Sequence, residues 1–184
     1  IIKIPAVSAD VLEPRKLDPI DKCQEEEPSA QIEVLPFTYK GSTCKLFTDS
    51  LTSYSGGLCF VPEVTYSGPD AIFKVWLHQG NDVLFKLAVD KPADLVLVLV
   101  KECDNGTTCE NSSIDHYGPN GDEEIPKTSY AEGFYYLYVD SAKPENGSQV
   151  DEDGLCGSYK LSVEGTNPVP VLKLSLIHIS EPTR

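Results

Sequence analysis

Apolar and polar residues alternate along several short stretches in the central part of the chain. Residues of one parity are apolar in each of them: Ala71, Phe73, Val75, Leu77; Val83, Phe85, Leu87, Val89; Tyr135, Leu137, Val139; and Tyr159, Leu161, Val163. A period of two is the pattern of a β-strand that places one face on a core. Leu95–Val100 is apolar at every position, which predicts a central strand buried on both faces.

Clusters of Gly, Pro, Asn and Asp separate these stretches, and no segment keeps a helical period. Short strands divided by turn residues are typical of sandwiches and barrels. We therefore predict an all-β fold, an antiparallel jelly-roll-like β-sandwich of about eight strands. The sandwich is expected over residues 23–165, after a linker or the end of a preceding domain at 1–22 and before an exit linker at 166–173.

The two ends of the sequence have features of a fragment. The chain contains no Met, so residue 1 is not expected to be a translation start. Residues 174–184 resemble a translated sequencing adapter, and we expect an artefact tail there. The natural protein is then expected to continue past Lys173 into a further domain that this sequence lacks.

The strands and loops also follow a recognisable order. The order runs from Ser67-Gly68-Pro69-Asp70 and the strand after it, through Cys103 and Cys109 and an acidic loop, to Gly133–Asp140 and Gly157–Val163. This order resembles the bacterial pre-peptidase C-terminal domain, a β-sandwich appended to secreted peptidases, over roughly residues 32–164. The resemblance implies a non-catalytic accessory module in a secreted or surface protein. It also marks Asp70 and Asp140 as the family's two recurrent aspartates, which we interpret as structural because Asp readily bonds nearby backbone amides.

The absence of catalytic motifs supports the interpretation as a non-catalytic module. The sequence has no nucleophile elbow, no zinc-protease helix motif, no P-loop and no dinucleotide fingerprint. Before the tail the only imidazoles are His78 and His116, which we interpret as surface residues. We predict that this chain is not an enzyme, although its missing neighbour is expected to be a peptidase, another hydrolase or a surface domain.

The net charge of the chain limits the classes of molecule that it can be expected to bind. The formal charge is −14, which argues against nucleic acid and anionic membranes because both require a basic surface. No apolar run approaches the ~20 residues of a membrane span, so no membrane insertion is expected. An acidic protein instead attracts divalent cations.

A calcium site is the cofactor hypothesis. The acidic loop from Glu102 to Glu124 is rich in carboxylates and amides, the oxygen ligands that calcium prefers. The candidate ligands are Asp104, Asp115, Asp122, Glu123 and Glu124. The alternative is that these side chains are solvated loop tips, since they follow no fixed calcium-binding spacing.

The six cysteines predict disulfides and an oxidising, extracellular or cell-surface location. Sequence proximity favours Cys44–Cys59 and Cys103–Cys109, which leaves Cys23–Cys156, although 15 connectivities are open. Zinc is the rival hypothesis, but the chain has no CxxC motif.

Aromatic side chains provide the one clue to a binding surface. Several bulky residues have the parity opposite to the core positions: Ile72, Trp76, Leu84, Tyr136 and Tyr138. If their strands are neighbours, Trp76, Tyr136 and Tyr138 form an exposed platform on which sugar rings or an extended fibrous protein stack. The two functional alternatives are therefore a carbohydrate- or collagen-binding module and a purely structural spacer.

Overall fold

The computed structural model describes residues 31–46, 49, 51–55, 59, 64–66, 68–90, 93–103, 106–113, 121–144 and 156–165. The described residues form ten strands and two 3₁₀ turns, at Thr43–Lys45 and Gly106–Thr108. The strands are β1 Gln31–Ile32, β2 Phe37–Ser42, β3 Val64–Tyr66, β4 Ala71–Leu77, β5 Asp82–Val89, β6 Leu95–Val100, β7 Cys109–Ser113, β8 Glu123–Ser129, β9 Gly133–Pro144 and β10 Ser158–Glu164.

Two sheets pack face to face. One has the order β1-β4-β9-β6-β7, with β3 also paired to the end of β9, and the other has the order β2-β10-β5-β8. The all-β sandwich is confirmed; the jelly-roll connectivity stays a prediction. Not every pair is antiparallel, since β1 runs parallel to β4.

The core between the sheets contains the residues that the alternation predicts. Phe73, Val75, Phe85, Leu87 and Leu137 are fully buried there, and every residue of β6 is buried, as the continuous apolar run predicts. Between β4 and β5 the chain turns at Gly80, whose φ of 79° is a conformation that suits glycine. The Asn81 amide donates to the His78 carbonyl oxygen across that turn at 3.2 Å.

The acidic loop contains more regular structure than the sequence suggests. β7 pairs with β6, and β8 pairs with β5 at the edge of its sheet. Neither strand has the β-branched and aromatic content of a typical strand, and β8 contains Pro126. An edge strand tolerates proline because one side of its backbone has no ladder to complete.

A second buried cluster lies on the outer face of the larger sheet. Residues 51–55 and 59, which we call the covering segment, contribute Leu51, Tyr54 and Cys59 to it. The sheet contributes Ile72, Val96, Val98, Val100, Tyr66, Tyr136 and Tyr138. The larger sheet is consequently buried on both faces where this segment covers it.

The disulfides differ from the predicted pairs. Cys44 is bonded to Cys156, with Cα atoms 4.9 Å apart, and Cys59 is bonded to Cys109, at 5.9 Å. The predicted pairs Cys44–Cys59, Cys103–Cys109 and Cys23–Cys156 are therefore wrong. Cys103 is also disulfide-bonded, to a partner outside the described residues.

Strand pairing explains the first of these bonds. Cys44 follows β2 and Cys156 precedes β10, and the two strands pair with Ser42 opposite Ser158. Partners 112 residues apart in sequence are thus brought side by side by the sheet. The second bond joins the covering segment to β7.

Candidate functional site

The aspartates of the sequence motifs meet beneath the covering segment. Asp70 precedes β4 and Asp140 lies in β9, and both are 0% exposed. Asp70 acts on Asp140 through its charge and its side chain, and we infer that the two carboxyl groups hold one proton between them, since two ionised carboxylates buried together would repel each other. Burial, then the charge and hydrogen bond of Asp70, raise the pKa of Asp140 well above its usual value.

Hydrogen-bond donors from the backbone and from a side chain surround the Asp70–Asp140 pair. The Leu51 amide donates to Asp70 Oδ2 at 3.3 Å, and the Tyr54 hydroxyl donates to Asp140 Oδ2 at 2.8 Å. The Ser141 amide donates to Asp140 Oδ1 at 2.6 Å. Two of these donors belong to the covering segment, so the acidic pair ties that segment to the sheet.

Tyrosine rings close the same cluster. Tyr54 packs edge-on against Tyr66, with centroids 4.7 Å apart, and against Tyr138 at 5.9 Å. Burial and the nearby Asp140 raise the pKa of Tyr66 to about 12, and they raise that of Tyr54 well above its usual value. The Tyr66 hydroxyl is buried and has no hydrogen-bond partner among the residues that the structure describes.

The predicted aromatic platform is therefore largely covered. Tyr138 is 0% exposed and Tyr136 is 6% exposed, so the expectation that both are exposed is wrong. Leu84 lies on β5 in the other sheet and cannot extend such a platform. Side chains on the outer face of a sheet are buried when a loop packs over them, which strand parity alone does not reveal.

A smaller aromatic group remains at the end of the sheet, around Trp76. Trp76 pairs with Phe134 across β4 and β9, and their ring centroids lie 4.6 Å apart; both rings are half-buried. The Trp76 Nε1 donates to His78 Nδ1 at 3.4 Å. The Lys74 Nζ lies 4.4 Å from the Phe134 centroid. We call Trp76, Phe134, His78 and Lys74 the aromatic end.

Sequence reasoning missed two members of this group. Phe134 has the same parity as Tyr136 and Tyr138, so the alternation contained the signal for it. The position of Lys74 over the Phe134 ring depends on the pairing of β4 with β9, which the sequence does not specify. Chemically, two half-exposed rings beside an ammonium and an imidazole can hold an apolar ring face and a polar group next to it.

The predicted calcium ligands do not converge within the described ranges. Glu123 is 3% exposed and points inward, whereas Glu124 is exposed and lies opposite Lys86. Because successive strand residues face opposite sides, these two carboxylates cannot hold one ion. Asp122 is exposed, and Asp104 and Asp115 lie outside the described residues. Among the residues that the structure describes, no group of three or more His, Cys, Asp or Glu side chains could hold a metal.

Comparisons with known proteins match this chain only at the level of structure. No protein-family model matches the chain, and a search of curated proteins finds no match. Among solved structures, the chain is similar to the pre-peptidase C-terminal domain of a collagenase from Bacillus anthracis, with 18% identity and a TM-score of 0.44. That similarity covers 73% of this chain and 92% of the other. No helix in the described part is long and apolar enough to span a bilayer.

Proposed function

We propose that this chain is a non-catalytic, extracellular accessory module of a larger secreted or surface protein. It would assist folding and secretion of its host or attach the host to a polymeric substrate. The observation that carries this proposal is the placement of the disulfides. One joins the segments that flank two paired strands, and the other fastens the covering segment to the sheet.

Disulfides of this kind persist in oxidising compartments. In the chain-entropy account, closing the loop between Cys44 and Cys156 stabilises the fold by about 4–5 kcal/mol. Such bonds suit a domain that must stay folded outside the cell. The order of sequence motifs, which resembles that of secreted accessory domains, supports the same role.

The aromatic end is the surface that we assign to attachment. Trp76 and Phe134 offer half-exposed rings, and Lys74 and His78 place polar groups beside them. A polysaccharide or a fibrous protein presents repeated ring faces and hydroxyl or amide groups to such a surface. Repetition in the polymer would compensate for the small area of the platform.

A depletion assay tests this assignment. The full chain is mixed with insoluble collagen, cellulose or chitin, and the protein left in solution is measured. We expect Trp76→Ala to abolish retention on the polymer that binds the unchanged chain. Val34→Ala is the matched control, because Val34 is an apolar residue that is 69% exposed outside the aromatic end. Equal retention of the two variants would contradict the assignment.

A purely structural spacer is the second candidate. It is favoured by the burial of Tyr136 and Tyr138, which leaves only part of the expected aromatic surface exposed. A folded chain that none of the polymers retains would select this candidate.

Calcium binding stays a prediction about the acidic residues. Thermal unfolding of the oxidised chain in calcium and in EDTA tests it, since a ligand of the native state raises the Tm as its concentration increases. An unchanged Tm would contradict a calcium site.

A further inference from the structure

The lysines of this chain differ in whether a carboxylate or an aromatic ring lies against the ammonium group. Lys86 forms an ion pair with Glu164 at 3.2 Å, and Lys127 forms one with Asp82 at 3.7 Å. Two more lie over aromatic rings, namely Lys74 and Lys101. Among the lysines whose side chains the structure describes, those without such a partner are Lys40, Lys45 and Lys160.

These three lysines line one groove. It has a volume of about 840 Å³ and crosses β2, β10 and β5 on the outer face of the smaller sheet. Lys40 lies directly opposite Lys160, and Ser42 lies opposite Ser158. On the other side of Lys160, its partner on β5 is the small, exposed Ala88, which leaves the surface low there. We call this surface the lysine groove.

The groove concentrates positive charge on a chain whose net charge is −14. Like charges directly opposite each other on paired strands repel and destabilise the sheet, so the Lys40–Lys160 pair has an unfavourable energy in the free protein. An anion between the two ammonium groups would offset that repulsion. Among the described residues that line the groove, Asp90 is the carboxylate that would oppose such an anion.

Protection of the sheet edge does not account for this arrangement. Lysine on an edge strand discourages pairing with other chains, and Lys40 on β2 fits that role. Lys160 lies on β10, which is paired on both sides, by β2 and by β5. Lys160 therefore does not protect a free edge.

The groove also indicates which kind of anion would fit. An extended peptide usually binds a sheet along a free strand edge, whereas the groove crosses the face of the sheet from β2 over β10 to β5. Recognition there depends on ammonium groups and on the Ser42 and Ser158 hydroxyls. We infer that the lysine groove binds a linear acidic polysaccharide, through carboxylate or sulfate groups carried on its sugars. This inference rests on the proposed attachment role but uses a surface separate from the aromatic end.

Affinity electrophoresis of the full, oxidised chain at low ionic strength tests the inference. The polymers are polygalacturonate, dextran sulfate, neutral dextran and poly-glutamate; the first two distinguish carboxylate from sulfate. We expect one or both acidic polysaccharides to retard the chain, and the double substitution Lys40→Gln with Lys160→Gln to raise the Kd about tenfold. Added salt should weaken binding because it screens the charges.

The matched control is Lys86→Gln with Lys127→Gln, which removes the same charge from lysines that have carboxylate partners. We expect it to leave the Kd within about twofold, and Asp90→Asn to strengthen binding. Equal losses in the two double variants, poly-glutamate binding as tight as that of the polysaccharides, or no retardation by either acidic polysaccharide would each overturn the inference. Trp76→Ala separates the two proposals. Loss of acidic-polymer binding in that variant would move the binding site to the aromatic end. If the groove binds no acidic polysaccharide, the depletion result on collagen, cellulose and chitin is unaffected.

Discussion

The buried carboxylate pair should make the stability of the fold depend on pH, and Asp70→Asn should weaken that dependence. Asn has the size of Asp, and its carbonyl oxygen can still accept from the Leu51 amide. Its amide hydrogen can replace the proton that Asp70 and Asp140 share. Asp140 then keeps the Tyr54 and Ser141 donors and gains a third.

The raised pKa of Asp140 determines whether the free energy of unfolding rises or falls with pH. Above the unfolded-state pKa of about 3.9, the folded protein holds a proton that the unfolded chain has lost. The free energy of unfolding therefore falls as pH rises, by up to about 1.4 kcal/mol per pH unit for one proton, until the folded pKa is passed. At about 4 °C per kcal/mol for a domain of this size, the Tm would fall by about 5 °C per unit.

Thermal unfolding of the oxidised chain, followed by circular dichroism from pH 4 upward, measures this slope. Asp122→Asn is the control, because Asp122 is exposed and its substitution removes the same charge. We expect the slope of Asp70→Asn to be shallower than those of the control and the unchanged chain. Equal slopes in all three proteins, or a Tm of the unchanged chain that rises through this window, would refute the shared proton.

Other predictions concern the covering segment and its disulfide-bonded surroundings. Tyr54→Phe should lower the free energy of unfolding in urea by about 1.5–3 kcal/mol, because it removes a donor from a buried carboxylate. Tyr66→Phe, which removes a hydroxyl that has no partner in the described part of the chain, should have little effect, and equal losses would contradict the assignment. Gly106→Ala should expose the covering segment to limited proteolysis, since a Cβ would overlap a carbonyl oxygen of that segment; an unchanged cleavage pattern would argue against this contact. Mass spectrometry of non-reduced peptides should find Cys44 joined to Cys156, and a peptide joining either to another cysteine would refute the pairing.

Alternation was sufficient for the inner core because each strand carries its own signal. Phe73, Phe85 and Leu137 are buried as their parity predicts. The outer face of β9 was different, since tyrosine suits both an exposed and a buried position and the sequence does not show what covers it. Tyr138 is buried by Tyr54, which precedes it by 84 residues in the sequence and has no periodic pattern around it.

Long-range partners limited the rest of the prediction. Sequence proximity favoured local disulfides, whereas the bonded cysteines are 112 and 50 residues apart. The lysine groove was missed for the same reason. Lys40 and Lys160 become neighbours only through the pairing of β2 with β10, and net charge conceals a local patch of opposite sign.

The disulfide-bonded covering segment also determines the directions from which another molecule can approach. Since it occupies the outer face of the larger sheet, a neighbouring domain cannot stack on that face without displacing a cross-linked segment. The open sheet surface is on the opposite side of the sandwich, where the lysine groove lies, and the aromatic end is at the margin of the closed side. The larger sheet can therefore be reached only at its margin, by the aromatic end, whereas the smaller sheet can be approached across its outer face.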